Sequence, residues 1–460
     1  MPESTTEYRF ERRRRHGGRP PAGAGTHAAT LVLVAVALAL PLMMGNRNPL
    51  TLTASQLTLV AGALLAGLLA TLPLRGALPA PNRAWFAVGA LFTGYVLLQV
   101  LPLPILASAF GPYPEGVLKH ADFSPRHWSP DVGASLRGWA TFVALFTIAW
   151  VARGLRASQR NVIWLALVAM GVFQALYGVM AHAAGADTIF GLWARNTPQA
   201  VHGSFSNYNL FAAYLALLWP LSVAVWWIRE MPVLGRLPQE LKLAASLITG
   251  AVIGAALFAS TSRLGSAGAV VGVLVGLLLW SRHRHVLGRH TVWPPYVALA
   301  AALVAAGWYG LTPLAERLLG TGTHDIRFAV VAIMVNEFPA QWYLHGVGLG
   351  GFEAVFRQFQ PAQWDRWLDY AHTDLLQWLA ETGVVGLALL VVVIVALIRN
   401  ARLTTERIAL YAGVAALAFV ALGDFSWHNP ATQAVLAIYL GVLLKERRVE
   451  RRRASRDTDG

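Results

Sequence analysis

The chain has 460 residues, of which 56% are hydrophobic and only 13% charged, with a formal net charge of +14 and no cysteine. A soluble domain carries roughly 25% charge, so the main solvent for this chain is hydrocarbon, and the missing cysteines exclude disulfides, thiolate metal sites and a cysteine nucleophile. The positive excess sits at the two ends, at Arg12 to Arg15 and from Lys445 to Arg456, without the aromatic-interleaved basic module of a nucleic-acid binder.

Residues 1–28 read as a basic tail. Apolar segments able to cross ~30 Å of hydrocarbon follow at roughly 29–45, 54–74, 84–105, 134–155, 161–184, 208–228, 241–260, 264–281, 293–314, 383–399, 406–422 and 430–444. The predicted fold is therefore all-α, a polytopic transmembrane helix bundle of about 12 spans. The stretch Leu42 to Asn46 offers no small-x-small cleavage site, so the first segment is expected to stay as a span.

Arginine and lysine concentrate in alternate linkers, such as Arg153/Arg156/Arg160, Arg229/Arg236/Lys242, Arg282/Arg284/Arg289 and Arg399/Arg402/Arg407. Basic loops stay on the cytoplasmic side, which predicts both termini inside and an outer face carrying long loops at about 106–133, 185–207 and 315–382. The chain thus divides into the tail 1–28, spans at 29–314, a large outer helical loop at 315–382, three further spans at 383–444 and a basic tail at 445–460. That loop holds a glycine-rich turn, Gly346 to Gly351, between stretches at about 323–338 and 363–382 that read as amphipathic helices. Small residues four apart, at Gly268, Gly272 and Gly276 and at Gly250 and Gly254, let helix backbones approach closely in lipid.

Several polar groups fall on the outer side, where topology gives them no purpose. Ser260 to Gly265 forms nearly the whole turn between two apolar spans, and its Arg263 opposes the charge trend. A guanidinium there suits an anion, or else snorkels to lipid phosphate. His372 stands beside Asp374, Gln377 and Glu381, and a histidine near carboxylates suits general-base work on a hydroxyl, or a structural place at the interface. One His and one Asp two residues apart do not match a helical metal-ligand spacing. Arg327 adds a second cation or pairs with Asp325 or Glu337. Asn207 and Asn209, and the run Asp424 to Pro430 with Asp424 and His428, suit sugar hydroxyls and stacking, or helix capping and the interfacial aromatic belt.

In order, these segments resemble the O-antigen ligase and O-antigen polymerase superfamily of bacterial polyprenyl-linked glycan transferases. The resemblance is carried over about 200–440 by Gly203 to Asn209, Ser262 to Gly265, Gly346 to Phe352, and His372 followed by Leu376, Glu381, Gly383 and Gly386. Family members often have asparagine after the histidine, where this chain has Thr373, and glycine after the arginine, where it has Leu264.

The resemblance implies a GT-C-like, inverting, metal-independent glycosyltransferase of the bacterial inner membrane, with the loop 315–382 periplasmic and catalytic and no cofactor. It would move a glycan from undecaprenyl diphosphate to a hydroxyl of lipid A core or a growing polysaccharide, with His372 catalytic and Arg263 and Arg327 on the donor diphosphate. Asn207, Asn209, Asp374, Glu381, Asp424 and His428 would support the site or bind glycan. Membrane lipids are the other expected partner and nucleic acid is not one. A protein O-glycosyltransferase shares this chemistry. A transporter or flippase of lipid-linked glycans is the alternative from another class; it should carry charged or broken helices at the midplane and related halves, neither of which the sequence displays.

Overall fold

The computed structural model describes residues 24–43, 49–72, 83–113, 125–228 without 196 and 198, 236–287, 326–364, 368–401 and 403–445, with single positions at 78, 231 and 234. The predicted span at 293–314, Asp325, Arg229, Arg402, Arg12 to Arg15 and the chain beyond Lys445 lie outside the described residues.

The first half contains α1 (Ala24–Leu42), α2 (Pro49–Thr71), α3 (Arg83–Val100), the short α4 (Pro104–Phe110), α5 (Val132–Gly154) and α6 (Ala157–Ala183). A two-stranded hairpin, β1 (Thr188–Ile189) with β2 (Trp193–Ala194), precedes α7 (Tyr208–Ala224), α8 (Gln239–Ala259) and α9 (Arg263–Leu287). Three short helices follow, α10 (Ile326–Glu337), α11 (Ala340–His345) and α12 (Phe352–Phe356), and then α13 (Asp374–Arg399), α14 (Thr405–Val420) and α15 (Pro430–Leu443). Among the described residues nine helices are long and apolar enough to cross a membrane: α1, α2, α3, α5 to α9, and α13. Helices α14 and α15 are shorter, at 16 and 14 residues. The chain is thus a polytopic helical bundle.

Helix α7 is the axis of the core. Every residue from Asn209 to Ala224 is buried, as expected of a helix apolar on all sides. The spaced glycines work as read from the sequence. A Cβ on Gly268 would strike Ala416 and Val420 of α14, and one on Gly272 would lie 2.8 Å from the Ala412 carbonyl. Gly254 abuts the Trp219 ring, whose Nε1 donates to the Gly250 carbonyl at 2.8 Å.

The contacts sort helix ends into two groups. At one end Arg160 grips Glu406 through two bonds of 2.8 and 2.9 Å, Trp164 donates to the same carboxylate, and Arg407 caps Asn400, Val442 and Leu443 carbonyls. These are residues of the basic linkers. At the other end lie the starts of α7, α9, α13 and α15, and a separate apolar cluster in which Val330, Met334, Phe338, Trp342, Phe352 and Phe356 pack on Ala380. That cluster forms a cap over the bundle.

One expected element differs. The stretch at about 363–382 is not a single amphipathic helix: helix begins only at Asp374, after an extended Thr373 and a His372 whose φ is 55°. His372 therefore does not share a helical face with Leu375, Leu376 and Leu379. The helix then runs past Glu381 into the apolar segment, broken in conformation at Gly383, where φ is 57°.

Candidate functional site

The polar residues picked out from the sequence meet at a single turn, Ala421 to Asn429, between α14 and α15. Its backbone is the common surface on which three distant segments are assembled. Asp374 N–H donates to Ala421 O at 2.9 Å and Asp424 O at 3.1 Å. The buried Asp374 carboxylate accepts Trp427 N–H at 2.8 Å and lies 2.7 Å from His428 Nδ1. Four bonds thus tie the start of α13 to this turn, and His372 is two residues upstream of the knot. The carboxylate expected to orient His372 instead holds His428.

The His372 ring stands edge-on to Phe425 with centroids 5.0 Å apart, and Tyr370 stacks flat on Phe425 at 4.8 Å and 2°. A left-handed backbone at a non-glycine residue is disfavoured by about 1–3 kcal/mol and persists only where its surroundings enforce it. Here the knot at Asp374 and the Phe425 platform supply that constraint. Burial pushes the Tyr370 hydroxyl pKa up, so it stays protonated as a hydrogen-bonding group.

Arg327 reaches the same turn from α10. Its Nη1 donates to Gly423 O at 3.3 Å, and Nη2 lies 3.8 Å from the Asp424 carboxylate. Its ion-pair partner is therefore Asp424 rather than Glu337. At 3.8 Å the pair is loose, and 24% of the Arg327 side chain stays accessible, against none of Asp424.

Arg263 arrives from a third direction. Ser260 and Thr261 make the tight turn expected after α8, Thr261 with φ of 57°, and Ser262 Oγ caps α9 by accepting Gly265 N–H at 3.2 Å. Arg263 is the first residue of α9, so its charge adds to the positive end of the helix dipole. Adjacent Leu264 packs on the same turn: a Cβ on Gly423 would lie 2.9 Å from Leu264 Cδ1. Gly423 is thus touched by both arginine-bearing segments.

The glycine-rich turn is held next to this assembly. Glu381, buried, accepts Gly350 N–H at 2.8 Å and Phe352 N–H at 3.4 Å, and receives Gln377 Nε2 at 3.0 Å. Gln377 also faces His428 Nε2 at 3.2 Å and accepts Ala371 N–H at 2.9 Å. Burial works against the His428 cation, but the Asp374 hydrogen bond and the charges of Asp374 and Glu381 outweigh it, so its pKa lies above the ordinary histidine value.

Asn207 caps α7 by accepting Asn209 N–H at 2.7 Å, and Asn209 is buried in the first turn. Of the two readings open for them, capping is what Asn207 performs. Residues that the sequence did not single out complete the site: Tyr370, Phe425 and Gln377, and from α3 Tyr95 and Gln99. Tyr95 Oη donates to His345 O and Thr382 O at 2.7 and 2.9 Å, and Gln99 Oε1 accepts Leu349 N–H. A tyrosine and a glutamine inside an otherwise apolar span were the available signal. Among the described residues no group of three or more His, Cys, Asp or Glu side chains is placed to hold a metal ion.

A family model described as O-antigen ligase matches residues 248–391, a little under a third of the chain. The matched stretch contains Arg263, Arg327, the glycine-rich turn, His372, Asp374 and Glu381, and stops short of Asp424 and His428. No curated protein is similar enough to the chain to be matched. The match and the long apolar helices support a polytopic membrane enzyme related to the O-antigen ligases.

Proposed function

We propose that this chain, with an O-antigen ligase region across 248–391, is a glycosyltransferase of the bacterial inner membrane. It moves a glycan from undecaprenyl diphosphate to a hydroxyl acceptor, lipid A core or a growing surface polysaccharide, at the periplasmic face. The observation that carries this reading is the convergence of Arg263, Arg327 and His372 on the Ala421 to Asn429 turn, opposite the end where Arg160, Glu406 and Arg407 are bound together. Basic linkers mark the cytoplasmic side, which puts the site on the periplasmic side and both termini in the cytoplasm.

In the reaction, the acceptor oxygen attacks the anomeric carbon of the donor sugar while His372 takes the hydroxyl proton. The bond from that carbon to the diphosphate oxygen breaks, and its electron pair leaves with undecaprenyl diphosphate. A single displacement from the opposite face inverts the anomeric centre. Diphosphate is already a good leaving group, so the protein's main task is to meet its charge with fixed cations. Arg263, at a helix start where its charge is electrostatically misplaced, and Arg327, only loosely paired, fit that task. Asp374, His428 and Glu381 keep the base and the glycine-rich turn in place. No metal or cofactor enters this scheme.

The test is transfer by purified protein in lipid vesicles, given an undecaprenyl-diphosphate glycan with lipid A core, with more donor, or with a peptide. Single addition to lipid A core marks a ligase, a chain-length ladder a polymerase, and peptide labelling a protein O-glycosyltransferase. Folded His372→Ala protein should lose transfer by about 10²–10⁴-fold, and EDTA should leave the wild type unaffected. Normal transfer by His372→Ala, or activity restored only by a divalent cation, would overturn the mechanism.

A further inference from the structure

The hairpin between α6 and α7 is built around an unfavourable residue choice. Ile189 and Trp193 pair across it, and Leu192 N–H closes the turn on Ile189 O at 3.0 Å. Both central residues have positive φ, 52° at Phe190 and 74° at Gly191. Such a turn favours asparagine or aspartate before the glycine, and a bulky residue there is a conformational outlier. The Phe190 ring must therefore be present for a contact of its own.

That contact points back along α6. Phe190 N–H donates to Tyr177 Oη at 2.7 Å, and the two rings stack at 4.7 Å; Tyr177 in turn stacks on Phe173 at 6.0 Å. Tyr177 lies six residues before the end of α6, about 9 Å down a helix that rises 1.5 Å per residue. The chain leaves the span at Ala183 and doubles back over its flank. That flank is apolar and outward-facing at Phe173, Leu176, Val179 and Met180, as a helix face bordering lipid should be.

The stem is rigid. Arg195 N–H donates to Asp187 O at 2.7 Å, and the buried Arg195 guanidinium is fixed on Ala186 O, Ala200 O and His202 Nε2 at 3.2, 3.2 and 2.9 Å. The tip nevertheless leaves Leu192 75% and Phe190 40% exposed. A braced turn that displays leucine and phenylalanine beside a lipid-facing helix has its natural complement in hydrocarbon.

We infer that the tip Phe190 to Leu192 is a membrane anchor that enters the boundary between headgroups and acyl chains beside α6, with the lipid bilayer as its partner. The anchor holds the 184–207 connection, and with it the start of α7, at a fixed depth. This reading depends on the membrane-spanning fold and not on the transferase chemistry.

Because the chain has no cysteine, Leu192→Cys gives a single labelling site at a position whose side chain is already exposed. The label is an environment-sensitive fluorophore, the protein is reconstituted in phosphatidylcholine and phosphatidylglycerol vesicles, and Asp187→Cys at the hairpin base is the reference. A nitroxide lipid labelled near the top of the acyl chain should quench the Leu192→Cys probe several-fold more than the Asp187→Cys probe, and aqueous iodide should show the reverse order. Equal iodide quenching at both sites would overturn the anchor by placing the tip in water. Protection of the Leu192→Cys probe from both quenchers would overturn it equally, by placing the tip against protein.

Discussion

Asp374 Oδ1 lies 2.7 Å from His428 Nδ1, joining the first residue of α13 to the last residue before the Asn429 cap of α15. This is the strongest tie between the segment that carries His372 and the turn that receives Arg327. Asp374→Ala leaves the buried Trp427 N–H without its acceptor, at about 1–3 kcal/mol, and frees His428. The expected result is loss of transfer with a lowered Tm. His428→Gln keeps a donor to Asp374 but no titration. The His428 pKa is raised in the folded protein, so its charge-assisted stabilisation is complete below about pH 6.5 and is lost as pH rises through the higher folded value. Unfolding of purified protein across neutral to mildly alkaline pH checks this, and the dependence should flatten in His428→Gln.

Removing either arginine should impair transfer, but their stability effects should differ in sign. Arg263 adds charge to the positive end of α9, so Arg263→Ala relieves a repulsion of roughly 0.3–1 kcal/mol while slowing transfer by about 10²–10³-fold. Arg263→Lys keeps the charge without the planar fork and should fall about tenfold short of wild type. Arg327→Ala exposes the buried Asp424 carboxylate to an unbalanced site and should lower the Tm. The double variant Arg327→Ala with Asp424→Asn should regain the Tm and not the activity. Paired unfolding and transfer measurements on these four proteins separate charge placement from folding.

Glu381 accepts two backbone N–H groups of the glycine-rich turn. Glu381→Gln turns an amide NH₂ toward at least one donor and leaves it unpaired, at about 1–3 kcal/mol. Hydrogen exchange should quicken at Gly350 and Phe352, while the amides of α7 stay protected. Transfer should fall in proportion to the loosened turn.

Acid should release the connection between α6 and α7. Burial, reinforced by the Arg195 cation, lowers the His202 pKa to about 4. A depressed histidine pKa means the unfolded chain binds the proton first, so stability falls as pH drops from about 6.5 toward 4, by about 3 kcal/mol once the full shift is expressed. Thermal unfolding near neutral and mildly acidic pH should show this loss. His202→Gln, which keeps a hydrogen-bond acceptor for Arg195, should show much less of it.

The spans, the Ser260 to Gly265 turn and the outlying polar residues were legible because hydropathy and charge act locally. The pairing of those residues was not. His428 follows Asp374 by 54 positions, and nothing in either neighbourhood marks the other. The helix expected over 363–382 follows a reasonable periodicity, but tertiary bonds at Asp374 and the left-handed backbone at His372 override it. Tyr95 and Gln99 brace a turn some 250 residues away, so α3 reads locally as an ordinary span. Asp424 and His428 fitted capping as well as binding until the turn that carries them proved to be the meeting point.

Gly346 and Gly383 face one another closely. A Cβ on the first would come within 2.9 Å of Gly383 N, and a Cβ on the second within 2.7 Å of Gly346 N, both at positive φ. The obstructing atoms are main chain, so no change of neighbouring side chain makes room. Neither position has a compensating partner that evolution or an engineer can adjust, and a library that varies the residues around the site must hold this pair constant. The freedom to diversify lies in the side chains set on either side of that crossing.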